Sequence, residues 1–149
     1  MTIILVARTI GARTATASLS GEQHAALIFD LGETSAPDYW IVQGGPRRGL
    51  LLGALGHLGR SWQQAFGEVS GGMIWDQSTV GMSVNLTEIS RFSIPAVTRS
   101  RLQTIVDTLN RRRERYEYAS GPNSNTYVRG VLQTLGLHYN PTGVVLRGW

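Results

Sequence analysis

The apolar pattern of this chain changes character once, near Pro95, and that change limits what it can fold into. Before Pro95, apolar residues come in short runs rich in β-branched and aromatic side chains: Thr2–Ala7, Ala25–Leu31 and Tyr39–Gln43. After it, Leu102, Ile105, Val106 and Leu109 recur at i, i+3, i+4, i+7, the spacing of one helix face. Strands first and helices last point to an α+β fold, a small antiparallel sheet packed against C-terminal helices. No internal repeat or linker divides residues 1–149, and 149 residues suit one domain.

The punctuation agrees. The turn residues of 32–37 separate the second and third runs and predict an antiparallel hairpin with a longer loop. Gly44-Gly45-Pro46 is expected to end the third strand. Residues 47–72 are glycine-rich, and Leu50, Leu51, Leu55 and Leu58 permit a short helix there. Met73–Trp75, Met82–Leu86 and Ser90–Pro95 read as further short strands. Thr98 is a suitable N-cap for the first helix, with Arg111, Arg112 and Arg113 expected in its last turns, where cations complement the dipole. A second helix is predicted over 124–135, with Asn123 as N-cap, Val128, Val131, Leu132 and Leu135 inward, and Gly136 as the C′ residue.

Composition excludes several classes. Hydrophobic residues make up 42% of the chain and charged residues 16%, which argues against intrinsic disorder. Cysteine is absent, so disulfides, thiolate metal sites and a cysteine nucleophile are excluded. With His24, His57 and His138 the only histidines, no cluster has credible metal spacing, and neither metal nor cofactor is expected. All fourteen basic residues are arginine, for a net charge of +4. That preference fits a GC-rich bacterial source. The segment Arg111–Tyr118 interleaves arginines with tyrosines but is interrupted by Glu114 and Glu117, so a solvated helix end is expected rather than a nucleic-acid surface. Leu50–Leu58 is too short to cross a bilayer, and nothing basic precedes the Ile3–Val6 run. Cytoplasmic synthesis without a signal peptide is the expectation.

The stretch that points to chemistry is Gly121-Pro-Asn-Ser-Asn-Thr-Tyr127. It puts Ser124, a hydroxyl nucleophile, at the first turn of a helix, where backbone donors favour developing negative charge. A serine needs a general base, and His24 opens a core strand. A strand-opening histidine followed later by a helix that begins Asn-Ser-Asn resembles the circularly permuted papain-like hydrolases. These include the lecithin:retinol acyltransferase-like proteins, relatives of the NlpC-type cell-wall peptidases. The resemblance covers about residues 20–137. It implies a permuted papain-like fold and a hydrolase or acyl transferase acting on an amide or ester bond. Ser124 would be the nucleophile, His24 the base and Gln43, on the next strand, the residue orienting His24. Asn123 and Asn125 would flank the substrate or oxyanion.

Where that family carries cysteine this chain carries Ser124. Three readings stay open: a working serine, an inactive relative kept as a binding or interaction domain, and a serine substituted for a native cysteine. The motif is also similar to modules of bacterial polymorphic toxins with Pro-Asn-Ser-Asn-Thr or Pro-Asn-Ser-Asn-Ser before an aromatic, which favours a native serine. That likeness implies an exported effector with a peptide, protein or lipid substrate and a cognate immunity or carrier protein as partner. Neither nucleic acid nor a membrane span is expected. On their own, Ser124 is also an ordinary helix-start residue and His24 an ordinary strand histidine; His57 and His138 read as structural or surface residues.

Overall fold

A computed structural model describes residues 1–9, 23–31, 39–47, 68–75, 86–117 and 120–149. Its strands are β1 (Thr2–Thr9), β2 (Gln23–Asp30), β3 (Tyr39–Arg47), β4 (Glu68–Trp75) and β5 (Leu86–Ser93); its helices are α1 (Arg99–Asn110) and α2 (Ser124–Thr134). The strands form one antiparallel sheet in the order β4-β3-β2-β1-β5. The fold is α+β, and the hairpin expected between β2 and β3 is present. The 32–37 turn, His57, the Leu50–Leu58 stretch and most of 82–86 lie outside the described residues.

Strand alternation sorts the apolar residues into two sets. Ile3, Leu5, Ala7, Ala25, Leu27, Phe29, Trp40 and Val42 share a core with Leu102, Ile105, Val106 and Leu109 of α1 and Val128, Val131 and Leu132 of α2. The intervening residues Val6, Ala26, Ile28 and Ile41 form a second cluster on the other face. The helical periodicity read from sequence is thus the buried face of both helices. Arg99 at the start of α1 lies 4.4 Å over the Trp40 ring and closes that end of the core.

The strand expected over Ser90–Pro95 is β5, which starts at Leu86 and ends at Ser93, and three further boundaries differ from the sequence reading. First, β3 continues through Gly44-Gly45-Pro46, with Gly44 opposite Gly71 and Pro46 opposite Val69. Glycine here is not a terminator. A Cβ on Gly44 would lie 2.6 Å from the Tyr127 Cβ, and one on Gly71 would strike the Tyr127 ring. The facing glycines make a saddle that lets the helix-borne tyrosine lie on the strands. Proline is tolerated because Val69 N–H points away from β3, to Glu114 O at 2.7 Å. The Pro46–Val69 pair therefore needs no strand donor from Pro46.

Second, β4 runs from Glu68, not only over 73–75. Its outer edge is covered by Asn110, whose Oδ1 accepts from Gly71 N–H at 2.8 Å and whose Nδ2 donates to Gly71 O at 3.0 Å. Third, α1 ends at Asn110, so Arg111–Arg113 lie beyond it. Arg113 takes a left-handed φ of 51° and turns the chain so that Arg115 bridges to Glu68. Covering the β4 edge thus outweighs prolonging the helix. By contrast, Asn123 caps α2 as expected, Leu135 ends it, and Gly136 follows at φ 80°.

The saddle makes a direct prediction. Gly71→Ala should destabilise the fold by about 1–3 kcal/mol through overpacking against Tyr127. Gly45→Ala, whose added Cβ meets open space, should cost far less. Urea unfolding of both variants checks this, and equal midpoints would remove the saddle from the account.

Candidate functional site

The Asn123-Ser124-Asn125 segment lies at the N-terminus of α2, where the helix meets the sheet. Pairing between β2 and β3 stops at Leu27–Val42. Beyond it, the backbone of β2 needs other partners, and Asn125 supplies them. Its Oδ1 accepts from Ala25 N–H at 2.8 Å, and its Nδ2 donates to Gln23 O at 3.2 Å and to Arg147 O at 3.0 Å. The Asn125 amide thus stands in for a strand and docks α2 on both sides of His24.

Asn123 is engaged as completely. Its Oδ1 accepts from the Asn125 and Thr126 amides at 2.9 and 3.2 Å, and its Nδ2 donates to Arg147 O at 2.9 Å. Thr126 Oγ1 donates to Gly148 O. Val145 O accepts from Gln23 N–H at 3.0 Å. Residues 145–148 therefore cross the start of α2 and join it to β2. Asn123, Ser124 and Asn125 are 2%, 6% and 4% exposed.

The structure places the expected site residues unevenly. Ser124 begins α2 as predicted. His24 is adjacent through the backbone, but alternation puts its side chain in line with Ala26 and Ile28, on the face away from α2. Gln43 follows Ile41 on that same face, so the His24 and Gln43 positions share one side. Asn123 and Asn125 differ most from expectation. Their amide donors bind backbone carbonyls and are not turned to a substrate. The second and third amides of the helix, those of Asn125 and Thr126, are satisfied by Asn123, because a polar cap buried this deeply must answer its own orphan donors.

Sequence reasoning missed two residues. Tyr116, 6% exposed, sets its hydroxyl against Ser124. Burial pushes the phenol pKa up, while hydrogen bonds from the Ser124 hydroxyl and backbone amide pull it partly back. The loop that brings it there closes through Glu117 N–H to Pro122 O at 2.7 Å. No local motif marks Tyr116; only this closure makes it a neighbour of Ser124. Gln23, beside the clamp, carries a buried Oε1 with no hydrogen-bond partner. The signal for it lies in strand alternation, which assigns Gln23 to the Ala25 side of β2.

Among the described residues, no group of three or more His, Asp or Glu could hold a metal, and no helix is long and apolar enough to cross a membrane. The arrangement offers a hydroxyl, a neutral phenol and an unpaired amide carbonyl at one helix start.

Three outcomes test this geometry. Asn125→Ala should cost about 1–3 kcal/mol, because it leaves the Ala25 N–H buried without an acceptor; urea unfolding reads it. Gln23→Met should keep or raise stability by removing a buried unpaired carbonyl, and a clear loss would show that Oε1 is satisfied in solution. Burial also raises the Tyr127 pKa, with Asp107 adding to it. Both Tyr116 and Tyr127 therefore hold their protons longer when folded. The unfolded phenols ionise first, near about pH 10, so stability is complete below that and falls as pH rises through the tyrosine range. Urea midpoints at about pH 8 and 10.5 check the sign.

No family model matches the chain, and no curated protein or solved structure matches it either.

Proposed function

We propose that this chain is a hydrolase or acyl transferase of permuted papain-like architecture, acting on an amide or ester bond through Ser124. The observation that carries the reading is the Asn125 clamp: it docks the helix start bearing Ser124 onto the β2 backbone on both sides of His24. In this reading His24 is the base and Gln43 orients its ring. Because strand alternation sets both positions on the face away from α2, the His24 ring has to turn around the β2 edge, where β3 has left it, to reach the Ser124 hydroxyl. Ser124 Oγ attacks the carbonyl carbon, and the amine or alcohol leaves with the proton held by His24. Water, or an acceptor alcohol or amine, then releases the acyl group by the reverse steps.

With the Asn123 and Asn125 amides engaged elsewhere, an oxyanion here has to displace the contact between the Ser124 amide and the Tyr116 hydroxyl and accept from both, Tyr116 being a neutral donor at pH 7 as any tyrosine is. An exported effector with a cognate immunity protein remains the biological setting that the motif's resemblance supports.

A second reading has its own observation. Ser124 is 6% exposed and covered by Tyr116, which suits a catalytically inactive binding domain whose serine only starts a helix. Covalent labelling separates the two. A fluorophosphonate probe should modify wild-type protein at Ser124, fail on Ser124→Ala, and slow by about 10²-fold or more on His24→Ala. In Ser124→Cys, chloroacetamide should alkylate faster near pH 7 than in the Ser124→Cys, His24→Ala double variant, since a histidine-activated thiol is more thiolate. Folded protein that shows neither labelling nor a His24 effect supports the binding domain.

A further inference from the structure

A groove of about 210 Å³ opens between the end of α1, the turn at 112–114 and α2, with Pro122 and Thr126 at the end nearest Ser124 and Ser124 itself not among its lining residues. Its apolar wall is Val69, Leu109 and Tyr127. Gly130 leaves it open: a Cβ there would lie 3.4 Å from Leu109. Arg112, Arg129 and Glu114 are its charged lining residues.

Several arginines elsewhere on the described surface are paired. Arg113 pairs with Glu68 at 3.1 Å, Arg91 pairs with Glu88 at 2.9 Å, and Arg111 donates to Asp107 O at 3.3 Å. The guanidiniums of Arg112 and Arg129 have no hydrogen-bond or ion-pair partner among the described residues, nor has the Glu114 carboxylate. Among the described residues, two cations and one anion without a side-chain partner thus line an apolar wall.

We propose that this groove is a binding site for a residue-sized organic carboxylate with an apolar side chain and an adjacent N–H, the chemistry of an acylated amino acid or a peptide's C-terminal residue. The carboxylate lies between Arg112 and Arg129, whose planar donors suit it. The apolar group rests on Leu109 and Tyr127, and the N–H donates to Glu114. Size selects the ligand: drug-sized ligands occupy roughly 300–1,000 Å³, and this groove is smaller. The site is independent of the chemistry proposed for Ser124.

Nuclear magnetic resonance titration of the full chain tests it, with N-acetyl-leucine, its carboxamide and the tripeptide acetyl-Ala-Ala-Leu as probes. N-acetyl-leucine should shift the amides of Gly130 and Arg129, with affinity in the millimolar range or better. The carboxamide should bind at least about tenfold more weakly, and so should the acid on Arg112→Gln or Arg129→Gln. Both substituted side chains reach solvent, and the unperturbed remainder of the spectrum confirms folding. Ser124→Ala should bind as wild type, which keeps this result separate from the catalytic reading. Tighter binding of the tripeptide assigns the site to peptide ends, and equal binding assigns it to free acids. Equal affinity for acid and carboxamide, shifts centred away from the groove, or no shift up to about 10 mM would overturn the proposal.

Discussion

The side-chain amide of Asn125 is the contact on which the rest of this fold is arranged. An antiparallel sheet satisfies its interior strands on both edges, but β3 leaves β2 after Val42. The Gln23 carbonyl and Ala25 amide would then be buried without partners, at a cost of about 1–3 kcal/mol each. Asn125 meets both needs with one planar group, and no aliphatic residue could do so. Because Asn125 is the second residue of α2, meeting the need also fixes where the helix begins and what its first turn faces.

Asn110 repeats the solution at the other side of the sheet, holding both backbone groups of Gly71 from the end of α1. The two helices are therefore tied to the sheet at their polar ends and pressed to it by their apolar faces. Gly44 and Gly71 complete the arrangement, since only bare backbone lets Tyr127 lie across β3 and β4. Its hydroxyl donates to Val106 O at 3.2 Å and links α2 back to α1. Hydrogen bonding sets position here, and apolar burial supplies the driving force.

The same economy shapes the candidate site. A helix start offers donors for an oxyanion, yet this one satisfies two of them with Asn123 and leaves Ser124 beside Tyr116. A reactive centre built here works through a few groups in a dry setting, where each interaction is strengthened by low dielectric. A purely structural helix start would look similar in its caps. The backbone of His24 lies between the two groups that Asn125 binds, while strand alternation sets its side chain on the other face of the sheet.

Much was legible in the sequence because it depended on local period and local chemistry. The apolar faces of α1 and α2, the Thr98 and Asn123 caps, Gly136 and the β2–β3 hairpin all follow from residues within a turn or two of one another. Ser124 at a helix start was legible for the same reason. What the sequence concealed depended on partners far along the chain. Gly44-Gly45-Pro46 reads as a stop until Tyr127 occupies the space above it. Arg111–Arg113 read as helix until the open edge of β4 draws the chain across. Asn123 and Asn125 read as groups turned toward a ligand until the gap between β2 and β3, and residues 145–148, claim their amides. The sequence by itself determined which segments are strands and helices, since period and capping are local. Only the tertiary structure decided which polar groups remain free, because satisfying a buried donor or acceptor depends on every element that reaches it.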